Sequence, residues 1–153
     1  MKTINQLTKV FQDFADNHGM VNSFGTGDLW EVGMSESLLY PVVWVQPTES
    51  RLIKGQSGYS TTNTRFNIFI LDRVKKDETD EMEVLSDMSQ IAHDLVKDID
   101  GNPTFLNGNY TFNAEDIVLE FVTEKLKDEV SGVFLSMTFT TPFNLGCTTP
   151  LNS

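Results

Sequence analysis

The feature that most constrains this chain is a long alternation of side chains between residues 133 and 143. One set is almost wholly apolar and the other is mostly hydroxyl-bearing: Val133, Leu135, Met137, Phe139, Thr141 and Phe143 against Phe134, Ser136, Thr138 and Thr140. A period of two with β-branched and aromatic residues is typical of a β-strand that covers a core with one face. We therefore predict a strand whose hydroxyl-bearing face meets solvent or a partner.

Two segments have the spacing of amphipathic α-helices. Residues 3–18 place Ile4, Leu7, Val10, Phe11, Phe14 and Ala15 on one side, and Thr3 and Gly19 suit the two ends. Residues 79–99 place an inner stripe of Met82, Leu85, Met88, Ala92, Leu95, Val96 and Ile99 on one side. Gly101 and Pro103 follow this second helix, and both residue types end helices. Each helix has one face to bury against a sheet.

Four further strands are predicted from apolar runs and alternation. A glycine-containing loop over residues 20–35 leads to a short strand at 29–32, and a buried strand at 40–46 carries Trp44 as a core residue and closes at Pro47. Alternation predicts a central strand at 62–72, and a strand at 117–126 turns through 127–129 into the final strand. The order of elements predicts one α+β domain over residues 1–153, with an antiparallel or mixed β-sheet and two amphipathic helices packed on one face.

The net charge of the chain limits the classes of molecule that it is expected to bind. It carries 22 acidic and 11 basic side chains, so its formal net charge is −11. Such a chain has few basic side chains to displace counterions from a phosphate backbone, which argues against nucleic-acid binding. An anionic membrane surface would repel it. Its single cysteine, Cys147, excludes an internal disulfide, and no apolar run suggests a secretory signal or a membrane span. We expect a soluble protein made in the cytoplasm.

No residue pattern predicts a catalytic, cofactor or metal site. Gly25-Thr-Gly27 lacks the third glycine and the helix of a phosphate-binding loop, and the residues from Asp98 to Asn102 miss the glycine and acid spacing of a calcium loop. His18 and His93 have too few candidate co-ligands at workable spacing for a metal, and Cys147 has no evident base. Asn109-Tyr-Thr111 matches the sequon for N-glycosylation, but that modification requires a secretory route, for which the sequence shows no signal. We interpret these residues as structural.

Several stretches together, in this order, resemble small neck or tail-terminator-type structural proteins of tailed bacteriophages, in particular those of the crAss-like group and its relatives. The stretches are INQLTKVFQDFADNHGMVNSFGTGDLWE (4–31), YPVVWVQ (40–46), FNIFILDRV (66–74), DEMEVLSDMSQIAHDLV (80–96) and FVTEKLKDEVSGVFLSMTFTTPFNLGC (121–147). They cover most of the chain. None of these stretches is a catalytic or ligand-binding motif. The resemblance therefore indicates a family and a fold but no enzymatic reaction.

The resemblance implies a virion structural protein without enzymatic activity. It implies a subunit of a sixfold or twelvefold homo-oligomeric ring at the head–tail connector, between portal and tail, assembled in the host bacterial cytoplasm. Its partners would be its own copies and adjacent portal, ring or tail proteins, with DNA at most passing through an acidic lumen. The expected interface segments are residues 47–61, residues 102–116 and the polar tail from Asn144, with 47–61 as either a hairpin tip or a longer arm.

Two other readings of the sequence remain. One is a small ligand-binding or enzymatic α+β domain, which predicts convergent polar groups with shifted pKa values in one cleft. The other is a mimic of nucleic acid, which predicts carboxylates at phosphate-like spacing on one face. Acidic clusters at residues 77–83 and 115–129 are spread over helix, strand and turn, which weakens the mimic reading.

Overall fold

A computed structural model describes residues 4–28, 39–55, 59–74, 80–100, 111–112, 117–125 and 129–144. Within these ranges the chain forms two helices and six strands. In chain order they are α1 (Ile4–Asn17), β1 (Ser23–Thr26), β2 (Val42–Lys54), β3 (Tyr59–Arg73), α2 (Glu81–Asp100), β4 (Thr111–Phe112), β5 (Glu120–Lys125) and β6 (Glu129–Asn144). The α+β class predicted from sequence is confirmed.

The strands form one mixed sheet with the order β1-β2-β3-β6-β4, and β5 also pairs with β6. Only the β1–β2 pair is parallel. The long strand β6 pairs with β3 from Val130 to Asn144 on one side, and its other side meets β5 near the start and β4 near the end. The strand with the clearest alternation in the sequence is therefore central to the sheet.

Both helices cover the same face of this sheet, as predicted. The buried side chains of α1 and α2 form one core with alternate residues of β2, β3 and β6. Phe11 of α1 meets Phe66 and Phe139 at ring-centroid distances of 5.4 and 5.8 Å, and all three rings are fully buried. Edge-to-face aromatic contacts of this kind add about 0.5–1.5 kcal/mol to the free energy gained by burial.

The helix stripe predicted for α2 is wrong in part. Met82 is 79% exposed and Leu85 is half-buried, whereas Val84 and Ile91 are buried. In α1, the predicted core residue Ile4 is 46% exposed because it lies in the first helical turn. The other members of that stripe are buried or half-buried as expected.

Several strand boundaries also differ from the predictions. Residues 23–26 form β1 inside the predicted loop, and the strand expected at 29–32 lies outside the described residues. Strand β2 continues through Pro47 to Lys54, because the proline sits at a shift of register between Pro47 and Glu49 where the strand is at the sheet edge. Thr111 and Phe112 pair with β6 within the predicted loop 102–116. The strand predicted from Ile117 begins at Glu120, and β6 begins at Glu129, which was assigned to the turn.

Candidate interaction surface

The segment predicted as the main interface, residues 47–61, is the outer part of a β-hairpin. We call residues 46–54 of β2 and 59–67 of β3, which pair antiparallel from Gln46–Asn67 to Lys54–Ser60, the arm. At about 3.3 Å per residue each strand of the arm is roughly 30 Å long. Every β2 residue from Pro47 to Lys54 is exposed, so neither helix covers this strand. Residues 47–61 therefore belong to a hairpin, and the β3 strand of that hairpin also pairs with β6.

The arm has an open edge. Strand β1 pairs with β2 only from Val42 to Val45, and no strand in the described part of the chain pairs with residues 46–54 on that side. Among the described residues, the backbone N–H and C=O groups that point outward there therefore have no partner strand, as at the open edge of a sheet. Open edges bind extended segments by adding them to the sheet, with backbone hydrogen bonds supplying affinity.

The arm differs in charge from the rest of the protein. Between residues 46 and 67 the chain has one acid, Glu49, and three bases, Arg51, Lys54 and Arg65, which gives a net charge of +2 against −11 for the whole chain. Arg51 and Lys54 form no ion pair within the described residues. Near the tip Leu52 is 69% exposed and Ile53 is 41% exposed. The arm is thus a basic, partly apolar edge on an acidic protein.

The sheet face opposite the helices carries polar side chains that satisfy one another. Ser136 donates a hydrogen bond to Asn67 Oδ1 at 2.8 Å, and Thr140 donates one to Asn63 Oδ1 at 2.8 Å. Arg65 Nη2 lies 3.3 Å from Ser136 Oγ. The hydroxyl groups on the predicted polar face of β6 therefore form side-chain hydrogen bonds with residues of β3. Next to it a shallow groove of about 340 Å³ includes Arg51, Arg65, Glu49 and Thr138.

An apolar cluster occupies the other end of this same face. It contains Val42, Trp44, Leu71 and Val130, so the prediction that Trp44 is buried is confirmed, although it packs away from the helices. Trp44 Nε1 donates a hydrogen bond to the carbonyl of Gly27 at 2.9 Å. A Cβ at Gly25 would lie 2.2 Å from the Trp44 ring. The Gly25-Thr-Gly27 motif therefore packs against an indole, and Gly25 and Thr26 belong to strand β1 where the sequence predicted a loop.

A polar groove between the two helices is the feature that the sequence did not predict. It measures about 410 Å³ and is lined by Val10, Asp13, Phe14, Asn17, His18, Asp94 and Asp98. His18 Nε2 lies 2.9 Å from Asp94 Oδ2 across 76 residues of sequence, and no local pattern signals such a pair. The hydrogen bond from His18 lowers the pKa of the Asp94 carboxyl, against a smaller opposing effect of burial. The pair joins the end of α1 to α2.

The remaining sequence candidates are either dispersed or outside the described residues. His93 lies on the exposed side of α2, and its Nδ1 is 2.7 Å from the Ser89 carbonyl. Asp98 and Asp100 belong to the last turn of α2. Residues 101–110, which include Asn109, and residues 145–153, which include Cys147, lie outside the described ranges. Within those ranges no three His, Cys, Asp or Glu residues are grouped to hold a metal ion.

The fold and surface define an α+β domain with an exposed hairpin arm. A scan against models of protein families and a search of curated proteins found no match to this chain. Neither helix in the described part is long and apolar enough to cross a membrane.

Proposed function

We propose that this protein is a non-enzymatic virion subunit, one copy of an oligomeric ring in the neck or tail of a tailed bacteriophage. The observation that carries the proposal is the arm, a long hairpin whose β2 strand is exposed from Pro47 to Lys54 and has no strand partner on its outer side among the described residues. The sequence resemblance to neck and tail-terminator proteins gives the same reading. In this role the ring joins the portal to the tail and lines the channel for DNA.

The arm suits assembly into a ring because an open strand edge can bind a neighbouring subunit. A strand edge binds a neighbour through backbone groups, which gives affinity without a deep pocket. When the edge of one copy binds a different surface of the next, the interface is heterologous, and such contacts close into rings when the rotation permits. Sixfold or twelvefold order follows from the resemblance, and the adjacent portal, ring and tail proteins would bind the other faces.

The charge distribution supports the same function. An acidic lumen repels the phosphate backbone and keeps passing DNA from adhering. The bases of the arm, Arg51, Lys54 and Arg65, are concentrated in the element assigned to contacts between proteins. Opposite charges on the arm and on the rest of the subunit favour correct pairing between copies.

The test is the composition of purified phage particles. Mass spectrometry should find the protein at a fixed copy number per particle, and a labelled antibody should locate it at the head–tail junction. Its absence from particles, together with abundance in infected cells, would overturn the proposal.

A second candidate function, a small ligand-binding or enzymatic domain, is favoured by one observation. The groove between the helices brings His18 and Asp94 to 2.9 Å of each other and lies next to Asp13 and Asp98. We rank it second because the pair already bonds internally and no serine, threonine or cysteine is among the described residues that line the groove. If particles lack the protein, NMR titration with metabolite mixtures should be read at His18 first.

A further inference from the structure

The sheet has a second open edge, at the side opposite the arm. Strand β5 pairs only with β6, so the outer side of residues 120–125 has no strand partner within the described chain. Large apolar side chains are exposed beside this edge, since Val118 is 67% and Phe121 is 62% exposed. An open edge with exposed apolar side chains is a site for pairing with another chain.

The two open edges are complementary in charge and alike in apolar content. The arm has a net charge of +2, with Leu52 and Ile53 exposed near its tip. Strand β5 carries Glu120 and Glu124 against Lys125, for a net charge of −1, and presents Phe121. A basic edge and an acidic edge at opposite ends of one sheet fit each other on successive copies.

We propose that the open edge of the arm in one copy pairs with β5 of the next copy, so that the sheets of neighbouring subunits join. The direction of the strands rests on the ring proposed above. Within one copy β2 and β6 run one way, and β3 and β5 run the other way. Rotation about the ring axis preserves these directions, so β2 of one copy meets β5 of the next antiparallel.

One antiparallel register satisfies both charge and apolar contacts. It places Ile53 opposite Val122 and Arg51 opposite Glu124. All four positions lie on the sheet face away from the helices, because Ile53 and Arg51 pair with Thr61 and Asn63, which share that face of β3 with Leu71. Val122 belongs to the same face, since it packs on the cluster of Trp44 and Leu71. Cross-strand apolar and opposite-charge pairs each contribute roughly 0.2–1 kcal/mol in sheets.

This register also keeps every helical layer on one side of the joined sheet. Across the sheet of one copy, Ile53 is aligned through Thr61 with Pro142 of β6, and Val122 is aligned with Gly132 of β6. These two β6 residues are ten positions apart. At about 3.3 Å per residue this is a stagger of roughly 33 Å between the two edges. In a closed ring such a stagger requires the strands to tilt strongly away from the ring axis.

Cysteine cross-linking tests the pairing directly. In a Cys147→Ser background, Ile53→Cys and Val122→Cys are made as separate variants, mixed at high concentration and oxidised. Opposed residues of paired strands have Cα atoms about 4.5–5.5 Å apart, which a disulfide spans. We expect the mixture to give a linked dimer on a non-reducing gel and each variant alone to give little. Ile53→Cys mixed with Lys97→Cys, on the exposed side of α2, is the matched control.

The same oxidation is run on purified particles that contain the doubly substituted chain. No link above the control in either preparation would overturn the inference, and so would dominant linking of Ile53→Cys to itself, which indicates a twofold contact between arms. The outcomes separate the two proposals. A link in solution with no protein in particles removes the phage function alone, whereas protein in particles without the link removes the pairing alone.

Discussion

His18 contacts a backbone N–H through one ring nitrogen and a carboxylate through the other. Met20 N–H donates to Nδ1 at 3.1 Å, so Nδ1 is unprotonated and Nε2–H donates to Asp94 at 2.9 Å. In His93 the Ser89 carbonyl lies 2.7 Å from Nδ1, and a carbonyl only accepts, so Nδ1 carries the proton. We predict opposite neutral tautomers for the two rings in alkaline solution.

Long-range ¹H–¹⁵N correlation spectra measure the tautomers and would show Nε2–H for His18 and Nδ1–H for His93. The exposed ring of His93 serves as an internal reference for the half-buried ring of His18. An Nδ1–H tautomer for His18 would contradict the contact with Met20 and with it the geometry of the loop after α1. Asp94→Ala should leave His93 in the Nδ1–H tautomer, because the Ser89 carbonyl still accepts from that nitrogen, and should broaden or shift the His18 signals.

Asp72 is the carboxyl whose environment disfavours its charge. Burial raises its pKa, the charges of Asp80 and Asp87 add to the increase, and the Arg73 N–H bonded at 2.8 Å opposes it. The folded state therefore holds this proton more tightly than the unfolded state. Its stabilising effect is complete below the unfolded pKa of about 3.9 and is lost as pH rises through the raised folded pKa.

We predict that Asp72→Asn increases the free energy of unfolding at pH 7, because the amide removes the unfavourable charge and its oxygen still accepts from Arg73. Urea unfolding of both proteins from pH 3 to pH 8 measures this difference. The advantage of the variant should shrink as pH falls toward the unfolded pKa. Asp13→Asn is a matched control, because Asp13 is exposed on α1 and forms an ion pair with Lys9 at 3.2 Å. Equal responses of the two variants would contradict the assignment.

At the scale of elements, the contact between β6 and β3 leaves no room for a side chain at Gly132. A Cβ at this position would lie 1.8 Å from the carbonyl oxygen of Ile70, and backbone atoms in the middle of a sheet cannot move aside cheaply. We predict that Gly132→Ala destabilises the protein by about 1–3 kcal/mol or more, the cost of overpacking. Gly19→Ala is the control, since nothing lies within 4 Å of its Cβ. Thermal and urea denaturation measure both, and a neutral Gly132→Ala would contradict the close approach.

The elements also show what sequence patterns can and cannot predict. Alternation predicted β6 and the centre of β3, because helices cover one face of each strand and the other face is polar over much of its length. It missed the outer part of β2, where residues 47–54 are exposed on both faces and burial imposes no pattern. It missed β1 because Gly25 reads locally as a loop, while parallel pairing with β2 and the space beneath Trp44 are contacts distant in sequence.

The candidate surfaces follow the same rule. The sequence marked residues 47–61 by their polarity and glycines, and the structure makes most of that segment an open strand edge. The contact of His18 with Asp94 joins residues 76 positions apart, so no spacing rule would have found it. The spacing of residues along the chain predicts individual helices and strands. A groove or a sheet edge depends instead on which of these elements become neighbours in the fold.

At the scale of the whole molecule, the pairing proposed above predicts that the charges of the two open edges control how copies associate. Arg51→Glu should weaken association several-fold, because it places two acids opposite each other at the contact with Glu124. Glu124→Arg should do the same with two bases. The double variant Arg51→Glu/Glu124→Arg should recover association, because each contact again joins opposite charges. Sedimentation equilibrium over a range of protein concentrations measures all four proteins.

Lys97→Glu makes the same change of charge on α2, away from both edges, and should associate as the original chain does. If net charge alone governed association, Lys97→Glu and Arg51→Glu would have equal effects, and the double variant would recover fully in that case as well. The total charge of the double variant equals that of the original chain, so salt dependence separates the cases. A specific contact keeps its preference for the swapped pair at salt concentrations that screen long-range repulsion, since close pairs are screened less than distant ones.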